Sequence, residues 1–114
     1  MNWISIASEG DWQKAMEDSF LSPVVVFKHS TRCGISAMVK RQFEREWNYK
    51  EDEIRPFLLD LLQHRALSNH IALETGVYHE SPQLLLLRNG KVIHNASHNS
   101  IDALGLLTQI QSLS

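Results

Sequence analysis

Apolar positions along the chain recur with two different periods, and the alternation between them lays out the elements. Residues 3–6 are a short apolar stretch suited to an edge strand. Ser8 and Asp11 stand at capping-box spacing ahead of Trp12, Ala15, Met16 and Phe20, which share one helical face. Pro23 ends that helix. Val24-Val25-Val26-Phe27 is β-branched and too continuous for a half-exposed strand, so it predicts a central strand covered on both faces. Residues 30–33 are polar, and then Ile35, Met38, Val39, Phe43 and Trp47 recur at spacings of three and four, an amphipathic helix that opens at Cys33.

The charged residues 50–53 predict a solvated turn, and the apolar run 57–62 a second buried strand. Ala66, Leu67, Ile71 and Ala72 suggest a third helix, closed by Gly76 at a C′ position. Residues 84–87 and the pair Val92-Ile93 flank Asn89-Gly90, a strong local signal for a tight antiparallel hairpin. Ser100 and Ile101 open a terminal helix carrying Leu104, Leu107 and Ile110. The resulting order is β-α-β-α-β-α-β-β-α. Strands alternating with helices imply crossover units, and the closing hairpin makes the sheet mixed, an α/β architecture with helices on both faces.

Composition narrows the classes. At 114 residues the chain has room for one core, so one domain over 1–114 is expected. Its 43% hydrophobic and 21% charged content suits a globular protein. A net charge of −2 argues against an electrostatically driven nucleic-acid partner. No apolar run reaches membrane-spanning length, and the N-terminus lacks the basic start and apolar stretch of a signal peptide, so a cytoplasmic address is expected. No histidine pair has ligand spacing on a predicted helix, so no metal site within one chain is expected.

There is one cysteine, which excludes an internal disulfide and any cycle needing two thiols. A lone cytosolic cysteine is ordinarily a buried, inert apolar residue. Position argues otherwise here: Cys33 follows a buried strand by a short loop and begins a helix. Ligands gather beyond the carboxyl ends of strands in such sheets. Helix N-termini offer free N–H groups and partial positive charge, both of which stabilise a thiolate. Lys28, His29 and Arg32 stand close by in sequence and add to that field. Three residues on, where a resolving cysteine would stand, is Ser36. Its hydroxyl is either a hydrogen-bond donor to the thiolate or a plain first-turn polar residue. Pro82 directly precedes the hairpin, as a trans proline opening a strand or as a cis proline that turns Ser81 towards the cysteine loop.

The element order, with Cys33 at a helix start and Ser81-Pro82 before the hairpin, resembles the thioredoxin superfamily. Four stretches resemble the monothiol bacilliredoxins more specifically. These are Phe27-Lys28-His29-Ser30 with Cys33-Gly34-Ile35-Ser36, then Leu67-Ser68-Asn69, then His79-Glu80-Ser81-Pro82-Gln83, then Asn89-Gly90-Lys91 with Ala96-Ser97-His98. The resemblance implies a thioredoxin-like fold, a cis Ser81–Pro82 bond, and removal of bacillithiol or a similar small thiol from protein mixed disulfides. Cys33 and Ser36 would be the catalytic pair, and Arg32, Gly34, Ser81, Pro82 and His98 the substrate-binding set. Lys28, Arg32 or His98 would meet the carboxylates that bacillithiol carries. The small thiol is a co-substrate, no tightly bound cofactor is expected, and the partners are thiolated proteins met by a monomer or weak dimer.

Two positions depart from that pattern. Gly34 stands where the family usually has proline, and Asn99 where an aromatic residue often follows the histidine. Gly34 makes the loop similar to the C-G-F-S of monothiol glutaredoxins, some of which hold an iron–sulfur cluster, but Ser97-His98 replaces their glycine pair before the last helix. A cluster carrier and a non-catalytic thioredoxin-like binding module are the alternatives.

Overall fold

The computed structural model describes residues 1–112, so the last two residues of the expected 1–114 domain lie outside it. The strands are β1 (Ile4–Ser5), β2 (Val24–His29), β3 (Arg55–Asp60), β4 (Gln83–Arg88) and β5 (Lys91–Ser97). The helices are α1 (Glu9–Asp18), α2 (Gly34–Glu46), α3 (Arg65–Thr75) and α4 (Leu106–Ser112), with a 3-10 turn over His98–Ser100. The sheet order is β1-β3-β2-β4-β5; β2 pairs parallel with β3 and antiparallel with β4. This is the thioredoxin fold in the expected order, with β1 at one edge and all six residues of β2 buried at the centre.

Alternation of side chains along the strands divides the core in two. Val25 and Phe27 pack with Val39 and Phe43 of α2 and with Leu106 of α4. Val24 and Val26 pack on the other face with Trp12 and Ala15 of α1 and Ile71 of α3. Burying a side chain of this size contributes about 1.5–3 kcal/mol, so the central strands carry most of the cohesion. The local signals behave as expected. Ser8 caps α1 by accepting from the Asp11 N–H at 3.1 Å, and Gly76 ends α3 at φ 72°. Asn89 and Gly90 both take positive φ, the conformation of a tight hairpin turn.

Three expectations are corrected. Phe20 does not share the α1 face. The helix ends at Asp18: Ser19 keeps helical backbone angles, but its hydroxyl donates to Met16 C=O at 2.5 Å and its carbonyl accepts from Asn89 N–H at 2.8 Å, outside the helix. Phe20 is left exposed, with its ring over Gly90. Strand β3 begins at Arg55, two residues before the apolar run, and so contains Pro56. Arg55 N–H donates to Pro23 C=O on the β2 side at 3.0 Å. The donor missing at Pro56 therefore falls on the β1 side, where pairing starts only at Phe57.

The terminal helix begins at Leu106 and not at Ser100. Ile101 and Ala103 are buried with an exposed Asp102 between them, so the chain crosses the core extended before it can coil. Leu104 and Leu107, expected on the buried face, are exposed, while Leu106 is buried and Ile110 packs at the margin.

Candidate functional site

Cys33 is the N-cap of α2, half-buried, with extended backbone at φ −101° and ψ 117°. The loop that delivers it is closed by Cys33 N–H donating to Ser30 C=O at 3.2 Å, and its own carbonyl accepts from Ala37 N–H at 3.0 Å. Cys33 thus caps a helix whose first turn holds no acidic residue, and its side chain makes no capping hydrogen bond. Lys28 pairs in register with Gln83, so continuing the two strands outwards places His29 beside Pro82 and Ser30 beside Ser81. Register alone therefore brings the cysteine loop and the Ser81–Pro82 loop to the same edge of the sheet. The Ser81–Pro82 bond is cis.

That second loop is fixed from two sides. Gln83 is buried, and its Nε2 donates to Tyr78 C=O at 2.8 Å. Pro82 C=O accepts from His98 N–H at 3.1 Å, which ties the start of β4 to the end of β5. His98, at φ 54°, is exposed in a groove it shares with Met38, Gln42, Asn99 and Ile101. Pro82 and His98 are thus brought together. Arg32 and Gly34 are exposed, and a side chain at Gly34 would meet nothing within 4 Å.

Ser36 is fully buried. Its oxygen lies 2.7 Å from His29 Nδ1 and accepts from Ser30 N–H at 3.1 Å. It makes no hydrogen bond with Cys33; the hydroxyl is consumed in joining the end of β2 to the first turn of α2. Burial lowers the His29 pKa, with the nearby Lys40 charge adding and Asp60 and Glu44 opposing. The ring is accordingly neutral at neutral pH. The His29–Ser36 bond was not foreseen from sequence, although a histidine on the α2 side of a buried strand, seven residues from a first-turn serine, is the available signal.

Lys28 does not join the field around Cys33 as expected. Consecutive strand residues point to opposite faces, so His29 meets α2 while Lys28 lies under α3. It is fully buried, and desolvation lowers its pKa to about 8. His79, quoted above only for its place in a motif, lies on the same side, 3.3 Å from Ser68 Oγ through Nδ1. Among the described residues no group of three or more histidine, cysteine or carboxylate side chains is placed to hold a metal ion, and no helix is long and apolar enough to cross a membrane.

A family model described as monothiol bacilliredoxin BrxC matches residues 4–106. A solved structure described as having a thioredoxin fold is 32% identical, covering 94% of this chain and 92% of that one, with a TM-score of 0.78. Thioredoxin from Malassezia sympodialis is 20% identical over 97% of this chain and 90% of its own, with a TM-score of 0.72. Thioredoxin from Trypanosoma brucei brucei is 18% identical over 98% and 90%, with a TM-score of 0.68. The two thioredoxins establish likeness of fold alone.

Proposed function

The chain belongs to the monothiol bacilliredoxin family, a group of thiol oxidoreductases, and from that membership we propose that Cys33 removes bacillithiol, or a small thiol like it, from protein mixed disulfides. The observation that carries the reading is the placement of the sole cysteine as the N-cap of α2, at the sheet edge it shares with the Ser81–Pro82 loop. The Cys33 thiolate attacks the small-thiol sulfur of a protein–S–S–R adduct. A Cys33–S–S–R bond forms, the old disulfide breaks, and the protein cysteine leaves as thiolate. A second small thiol then attacks that adduct, giving R–S–S–R and free Cys33. Such exchange depends on thiolate fraction, leaving group and access.

In this scheme Ser36 is a positioning residue that locks the loop bearing Cys33, acting through His29 and Ser30. The Ser81 backbone pairs with the incoming chain as a short added strand. Arg32, Gly34 and His98, all exposed around the loop and its flanking groove, contact the small thiol. Pro82 fixes the Ser81 backbone from below, buried and held through its carbonyl.

The test is release of small thiol from one model protein modified in parallel with bacillithiol or glutathione. Fast release of bacillithiol by wild type, with none by Cys33→Ser, is the expected result. Turnover persisting in Cys33→Ser would place the activity elsewhere and end the proposal. Preference for glutathione would replace bacillithiol as the thiol served.

A further inference from the structure

Lys28 is fully buried, and among the described residues its ammonium has neither a hydrogen-bond nor an ionic partner. Opposite Gln83 on β4 and Leu59 on β3, it continues the sheet face of Val26, Phe57 and Leu85, the face on which Ile71 of α3 packs. Strands β2 and β3 run parallel, so the end of β2 that carries Lys28 lies beside the start of α3, the helix that follows β3. At that start is a cavity of about 130 Å³ lined by Leu61, Arg65, Ser68, Asn69 and His79.

Two positive charges and one negative act on the histidine of this cavity. The His79 ring, which lines the cavity, is held below its ordinary pKa first by burial and then by the positive charges of Lys28 and Arg65, with Glu80 alone opposing. Among the described residues neither Lys28 nor Arg65 takes part in an ion pair. The first turn of α3 contains no acidic residue, and its N-cap His64 makes no side-chain capping bond. Ser81 Oγ and Gln83 Oε1, from the loop and strand next to Lys28, are also buried without partners among the described residues. An ammonium taken out of water and left unpaired is costly, and the remedy is an opposite charge.

We propose that Arg65 and the first turn of α3, in the field of the buried Lys28 ammonium, form a binding site for a small oxyanion, a carboxylate or a phosphate group, in the cavity beside His79. The Arg65 guanidinium fork suits a two-oxygen acceptor, free helix N–H groups add to it, and the Lys28 charge acts on the cavity through the field that also reaches His79. In the dethiolation scheme the site receives a carboxylate of the small thiol; that assignment rests on the function proposed above, whereas the binding itself does not.

The experiment is an NMR titration of the reduced protein at constant ionic strength with succinate, with phosphate, and with neutral succinamide. Saturable shifts at Ser68, Asn69 and His79 are expected with an anion and not with succinamide; the tighter anion identifies the group. Lys28→Met and Arg65→Gln should each weaken binding at least tenfold, and Arg41→Gln on α2 should not. No saturable shift with either anion, equal shifts from succinamide, or undiminished affinity in Lys28→Met overturns the site. Cys33→Ser should bind the anion as wild type does. Binding intact beside a wild type that releases no thiol leaves the site standing and removes the dethiolation reading.

Discussion

Lys28 and His29 are neighbours in one strand, yet each meets a different helix, and the two carry different penalties. For Lys28, displacement from 10.5 to about 8 corresponds to about 3 kcal/mol held against the folded state at neutral pH. The unfolded chain binds that proton up to pH 10.5 and the folded chain only to about 8, so wild-type stability should rise with pH across that window. Lys28→Met should be more stable than wild type by about 3 kcal/mol at pH 7, with the gap closing above pH 8. Denaturant unfolding at pH 7 and pH 9.5 measures both limbs, and a gap that does not narrow contradicts the assignment of the charge. Ser36 behaves oppositely. Ser36→Ala leaves Ser30 N–H and His29 Nδ1 without their partner at the base of the cysteine loop. A loss of about 1–3 kcal/mol is expected in the same assay, and no loss would mean that the junction does not depend on the hydroxyl.

Among the elements, α2 and the β4–β5 hairpin respond to glycine in opposite ways. Gly34 is the first helical residue of α2, open on its Cβ side, and Cys33 before it is already extended. Proline suits that position in a helix, and the residue before a proline prefers an extended backbone. Gly34→Pro should stabilise the chain by about 0.4–1 kcal/mol, seen as a raised Tm. Gly90 has φ 75°, and a Cβ there would lie 2.7 Å from Cζ of Phe20. The hairpin tip is also pinned to the end of α1, with Asn89 N–H donating to Ser19 C=O at 2.8 Å and Gly90 N–H to Ser19 Oγ at 2.9 Å. Gly90→Ala should therefore cost about 1–2 kcal/mol. A neutral result would show that the tip relaxes freely.

For the whole molecule, a single sulfhydryl sets the stoichiometry of its redox chemistry. Oxidation in the presence of a small thiol should give a mass increase of one adduct per chain, removed by excess reductant and absent from Cys33→Ser. Oxidation without a small thiol can produce a disulfide only between two chains. Intact-mass measurement under native and denaturing conditions distinguishes these products. A second adduct on the wild-type chain would contradict the count.

The sequence by itself determined the order of elements, the central place of β2, the tight hairpin at Asn89-Gly90 and the seat of Cys33 at a helix start. Each of these is written in local spacing: a β-branched run, a three-and-four repeat, or a pair of residues that tolerate positive φ. Its likeness to the bacilliredoxins rested on short stretches of the same kind. Tertiary structure alone decided which helix covers Lys28 and which covers His29, since side-chain parity has meaning only once α2 and α3 lie on opposite faces. It also decided that Ser36 serves His29, that Ile101 and Ala103 enter the core in place of Leu104 and Leu107, and that β3 reaches back to Arg55. These outcomes depend on register between segments far apart in the chain, such as Val24 with Arg55 and Lys28 with Gln83, and on which strand edge is left open beside Pro56. Spacing along one segment carries no information about a partner strand, so burial and hydrogen bonding at those positions were settled only when the sheet assembled.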